Sequence, residues 1–188
     1  MADHAELLRE AIEVERRAHR ALLAGDDASE ELRAAAALYR SSWEAAPPAS
    51  YGRLIGMLKA AVLAGDAREE ALYARGSLGD AAGSAPASYA LAIAALVEGD
   101  DGEAAAAAEG MRGGSEAMVR AADAIAALAA GDEEEYGRAV RAIVEDFEGR
   151  DEHLTGVPIA DTALMLERLA AARGMACGIT SPLLPSCT

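Results

Sequence analysis

The sequence predicts an all-α protein of about nine helices, packed as antiparallel hairpins. Three observations predict it. Alanine, the strongest helix former, carries much of a composition that is 52% hydrophobic and 4% aromatic, while strand-favouring β-branched and aromatic residues are sparse. A Gly-Asp step recurs at Gly25, Gly65, Gly99 and Gly131, spaced by 40, 34 and 32 residues, which is the period of helical hairpins. Between these steps, apolar residues return at helical spacing.

A helix over 3–24 puts Leu7, Ala11, Val14, Ala18, Ala21 and Leu22 on one face and stops at Gly25. Helices over 29–45 and 49–64 come next, the latter with Leu54, Ile55, Leu58, Ala61 and Val62 on its apolar side. Helices over 67–76, 87–98, 102–110 and 115–130 are shorter and rich in alanine, and Ser115 stands where the last of these needs an N-cap. The helix over 133–148 has the clearest stripe, Tyr136, Ala139, Val140, Ile143, Val144 and Phe147, and a final helix spans 159–173. "PASY" occurs at 48–51 and again at 86–89, each time just before an apolar helical run.

The Gly-Asp steps need no chemistry to explain them. Glycine takes the left-handed position after a last helical turn without a Cβ penalty, and aspartate caps the next helix. Asp66 with Glu69, Asp100 with Glu103 and Asp132 with Glu135 have capping-box spacing. The run "GDEEE" at 131–135 therefore reads as a tight turn whose acids face a helix N-terminus, where the dipole favours them.

One striped helix needs a neighbour to cover it, so successive hairpins stack into a curved, right-handed layer like that of tetratricopeptide-type proteins. The resemblance to that superclass is architectural, since its consensus Trp, Leu-Gly, Tyr and Pro positions are absent. The length fits one domain over 1–188. The Gly/Ala/Ser-rich stretch 76–88 marks a soft division, and 174–188 reads as a capping segment that lays Ile179, Leu183 and Leu184 over the end of the array.

The net charge of −15, with 32 acids against 17 bases and Lys59 the one lysine, argues against nucleic-acid binding, which needs a basic footprint. Such acidity has two readings: a salt-rich cytoplasm or GC-rich genome, or faster encounter with a basic partner. The charged N-terminus has no apolar signal core, and no run reaches the ~18 apolar residues of a membrane span. With only two cysteines, Cys177 and Cys187, the sequence reads as a reduced, cytoplasmic protein in which a terminal bridge stays open.

No catalytic, cofactor-binding or metal-ligating residues emerge. His4 and His19 are too far apart on one helix to share a metal, and His153 lies in a charged loop. Neither cysteine has a nearby histidine, no serine sits in a Gly-x-Ser-x-Gly elbow, and Lys59 stands alone without a phosphate-binding loop. The densest acidic run, 145–153, has two readings: a solvated helix end and loop, or a docking surface with Asp146, Glu148, Asp151 and Glu152 as partner-binding residues.

From Asp132 onward, "GDEEEYGRAVRAIVEDFEGR" and "VPIADTALMLERLAAARGMACGITSPLLP" resemble the ending of the immunity protein 49 family of bacterial polymorphic toxin systems. Asp132 and Tyr136 stand for its acid-aromatic start, with one extra residue between them. Ala170 and Gly174 match its Ala-x-x-x-Gly turn, and Ser181, Leu184 and Pro185 match its close. The resemblance implies a non-enzymatic protein that sequesters a cognate toxin domain, and the acidic surface suits a basic toxin. The alternative is a helical-repeat scaffold that binds another protein or peptide on its concave face, with Trp43, Tyr51 and Tyr89 as anchors.

Overall fold

The computed structural model describes residues 3–79 and 83–186. Among these residues there are nine helices and no strand: α1 (His4–Ala24), α2 (Ser29–Ala45), α3 (Gly52–Ala64), α4 (Arg68–Leu78), α5 (Ala85–Glu98), α6 (Asp101–Met111), α7 (Glu116–Ala130), α8 (Glu133–Glu148) and α9 (Asp161–Ala171). None is long and apolar enough to cross a membrane.

At the four Gly-Asp corners each glycine is left-handed, with φ of 80°, 92°, 79° and 71° at Gly25, Gly65, Gly99 and Gly131. Beyond the glycine, the corners take two forms. Asp100 Oδ1 accepts from Glu103 N, and Asp132 Oδ1 accepts from Glu135 N, each at 3.0 Å. At the other two corners the helix starts a residue or more later, and a buried alanine, Ala28 or Ala67, takes the N-cap position. Asp66 therefore does not form the expected capping box; burying the Ala67 methyl wins over a side-chain bond at an exposed corner. Asp27 instead accepts from Ser29 N and Ser29 Oγ, closing a local turn. Ser115 caps α7 through Met118 N as its position predicts.

The "PASY" echo is not repeated in space. Pro86 lies in the first turn of α5 behind the Ser84 cap, whereas Pro48 precedes an irregular turn in which Ala49 is left-handed at φ 66°.

The helices pack mainly against sequence neighbours: α1 on α2, α2 on α3, and α5 through α8 each on the next. Small residues set how close they come. A Cβ on Gly56 would lie 2.8 Å from the Tyr39 ring, so α3 can cross α2 there only without one. The six stripe residues of α8 are all buried. One cluster of buried apolar side chains runs from Ala11 in α1 to Leu184 near the C-terminus.

The C-terminal part does not simply extend the array. After α8 the chain turns back, and α9 packs on α3 as well as on α7 and α8. The tail then folds along α9: Ala160 N donates to Leu183 O at 2.9 Å, Glu167 accepts from Cys177 N and Gly178 N, and Leu184 is buried. Arg173 Nη2 ties the end of α9 to Leu96 O and Asp101 at the α5–α6 corner. Cys177 is exposed, and Cys187 lies outside the described residues.

The two kinds of corner make a direct comparison. Asp132→Ala, which removes a cap bond, should lower stability by about 1 kcal/mol, and Asp66→Ala, which removes none, should stay within about 0.5 kcal/mol of wild type. Urea denaturation of both variants checks this.

Candidate functional site

The return of the chain after α8 builds a polar seam inside an otherwise alanine-rich fold. Residues 149–160 cross α1, where Arg16 Nε donates to Thr155 O at 2.6 Å and His19 Nδ1 lies 3.0 Å from Thr155 Oγ1. This delivers Asp161, the first residue of α9, to Lys59 on α3. The two form a nearly buried ion pair, with side chains 13% and 16% exposed. Lys59 Nζ also donates to Thr162 Oγ1 at 3.1 Å, and Asp161 Oδ1 accepts from Thr162 N at 2.8 Å. The N-terminal end of α9 further favours the carboxylate through the helix dipole.

Beside this pair lie two buried groups on α1, Glu15 and His19. Tyr39 donates its hydroxyl to Glu15 Oε2 at 2.6 Å. Burial pushes the Glu15 carboxyl up to about 7, even though the Tyr39 bond and Lys59 pull it down. Burial likewise pushes the His19 imidazole down to about 4. The 3.8 Å between His19 Nε2 and Glu15 Oε1 is therefore a contact between groups that both resist charging, and at neutral pH it is not a full ion pair. The Lys59–Asp161 pair behaves in the opposite way. Burial alone would neutralise both, but each is held charged by the other, Lys59 shifted up and Asp161 down.

Two cavities flank the pair, and Ile55, Lys59, Leu154 and Asp161 line both. The smaller, about 260 Å³, lies among α1, α2 and α3 beside Glu15 and Tyr39. The larger, about 290 Å³, opens among α1, α3, α5, α7, α8 and the 149–160 loop. Its rim holds Asp146 between two guanidinium groups: Arg120 Nη2 donates to Oδ1 at 2.5 Å, and Arg150 Nη2 and Nε donate to Oδ2 at 2.5 and 3.1 Å. Arg150 also lies over the Phe147 ring, 3.8 Å from its centre. Among the described residues, no three His, Cys, Asp or Glu converge so as to hold a metal ion.

The four acids expected to form a docking surface are not equivalent. Asp146 is half-buried and turned into the two arginines, and Glu148 is exposed but accepts from Ser181 Oγ at 2.7 Å. Asp151 and Glu152 are fully on the surface, next to Leu154, which is 75% exposed. Trp43 and Tyr51 stack half-exposed with ring centres 5.8 Å apart, whereas Tyr89 is buried in the wall of the larger cavity.

No family model, curated protein or solved structure matches the chain. The polar seam is thus defined by its own geometry. The sequence alone singles out neither Glu15, Arg120 nor Asp161, leaves His19 and Lys59 without partners, and leaves Tyr89 open between a concave-face anchor and a buried aromatic, yet one signal is present. Ala11, Val14, Glu15, Ala18, His19 and Leu22 have the same offsets as the buried stripe of α8, so Glu15 and His19 occupy positions that a helix in this fold buries.

The seam carries two expected outcomes. Lys59→Met strands a buried Asp161 and should cost about 3–5 kcal/mol, while the double variant Lys59→Met/Asp161→Leu should recover most of it; chemical denaturation of the set reads both. For Glu15, a folded-state value raised above 4.5 means stability is full below that pH and is lost as pH rises through about 7. Glu15→Gln, which keeps an acceptor for Tyr39, should thus match wild type near pH 5 and exceed it by up to about 3 kcal/mol at pH 8. His19 works in the other direction, its contribution being complete above 6.5 and falling as pH drops toward about 4, so the comparison with Gln isolates Glu15.

Proposed function

We propose that this protein is a non-enzymatic protein-binding module, and specifically an immunity protein that sequesters a basic toxin domain. The observation that carries the reading is the 149–160 loop. It is fastened from beneath by Arg16 and His19 to Thr155, and it offers Asp151, Glu152 and the exposed Leu154 outward. A fixed irregular segment with one apolar contact and flanking acids loses little conformational entropy on docking. The charge of −15 complements a basic partner and speeds encounter with it. The resemblance of the segment from Asp132 onward to immunity protein 49 supplies the toxin as the class of partner.

The test takes the proteins encoded beside this chain's gene and asks whether any is a toxin that this chain neutralises. Co-expression of the wild type should rescue growth of a host making that toxin. Asp151→Arg/Glu152→Arg should slow association more than tenfold at low salt and less at high salt, because screening removes steering. Adding Leu154→Asp should abolish rescue. Rescue that survives all three changes removes the loop from the interface, and absence of any neutralised neighbour removes the toxin.

The scaffold alternative draws on the half-exposed Trp43–Tyr51 stack at the α2–α3 corner. It requires that Trp43→Ala weaken partner capture while the loop substitutions do not.

A further inference from the structure

We propose that the larger cavity is a binding site for a small organic carboxylate with an apolar body. Polar atoms that the fold leaves without hydrogen bonds collect around it. Tyr89 Oη, Arg120 Nε and His153 Nδ1 are buried without a well-shaped hydrogen bond, and all three residues line this one cavity. Thr162 Oγ1 accepts from Lys59 Nζ and also lies close to the Tyr89 hydroxyl, but the two hydroxyls form no well-shaped bond. Native structures seldom leave buried donors idle, and their convergence in one place is what a ligand site looks like before its ligand arrives.

The donor chemistry sets the charge of the ligand. Arg120 Nε and Lys59 can only donate, and Tyr89 Oη can donate, so a group that accepts from all three is favoured. The lining carries three fixed cations, Lys59, Arg120 and Arg150, against two carboxylates, Asp146 and Asp161, and both carboxylates are already engaged by those cations. An excess of positive charge inside a chain with a net charge of −15 has no solubility purpose.

The walls set the rest of the ligand. Ile55, Met118, Ile143, Phe147, Val157 and Ile159 give an apolar floor. The volume of about 290 Å³ admits roughly ten non-hydrogen atoms, given that a 150 Å³ cavity holds benzene. His153, Leu154, Thr155, Val157 and Ile159 of the 149–160 loop form part of its wall, so the site shares Leu154 with the outward face of that loop.

Calorimetric titration of the full chain with sodium benzoate tests this, with benzamide as the neutral isostere and inorganic phosphate as the anion without an apolar body. Benzoate should bind with a dissociation constant of roughly 1 mM, and the other two at least about tenfold more weakly. Tyr89→Phe removes a hydroxyl that has no partner in the free protein, so it should leave the melting temperature unchanged or raised while weakening benzoate about fivefold. Arg120→Gln should weaken it about tenfold. Benzoate should also slow amide exchange over 153–157. Absence of saturable heat at tens of millimolar benzoate overturns the site. Equal affinity for benzamide or phosphate overturns the carboxylate, and unchanged affinity in Tyr89→Phe overturns the placement.

Discussion

The ion pair between Lys59 and Asp161 is the constraint on which the tertiary arrangement turns. A chain of helical hairpins can stack indefinitely in one direction, and nothing in the hairpins themselves brings the last helix back to the third. Here the one lysine of the sequence is placed on an apolar helix, where leaving it unpaired would cost several kcal/mol. Asp161 at the start of α9 answers it, and the 149–160 loop must cross α1 to deliver that residue. The return of α9 onto α3, which also buries Ala163, Met165, Leu166, Leu169 and Ala170, brings Asp161 to that ammonium, and the Thr155 bonds and the walls of both cavities lie along the same path.

The same closure separates two electrostatic worlds. The exterior carries an excess of acids, with Asp151 and Glu152 exposed on the 149–160 loop. The seam beneath that loop is built from groups that burial forces toward neutrality, Glu15 and His19, and from cations paired with carboxylates. A partner protein would meet the first surface, and a small acid the second. They share the 149–160 segment, which is held at Thr155.

Alanine and glycine make this compactness attainable. Helices lined by methyl groups approach closely, and Gly56 lets α3 pass under the Tyr39 ring, which in turn points the Tyr39 hydroxyl at Glu15. A Cβ on Gly56 would strike the Tyr39 ring and displace the hydroxyl that Glu15 accepts from.

The helices themselves were legible in the sequence, because periodicity, left-handed glycines and caps are local properties: the stripe of α8 and the turns at Gly25, Gly65, Gly99 and Gly131 depend only on residues a few positions apart. Where local signals competed, as at Asp66 against the buried Ala67, packing decided. The candidate site was not legible, because its members lie on α1, α3, α5, α7 and α9 and acquire meaning only when brought together. Glu15 and His19 could be recognised as buried from their stripe positions, but what surrounds them could not. Lys59 stood alone in the sequence because its counter-charge is about a hundred residues away, and only the three-dimensional path of the chain sets that distance to zero.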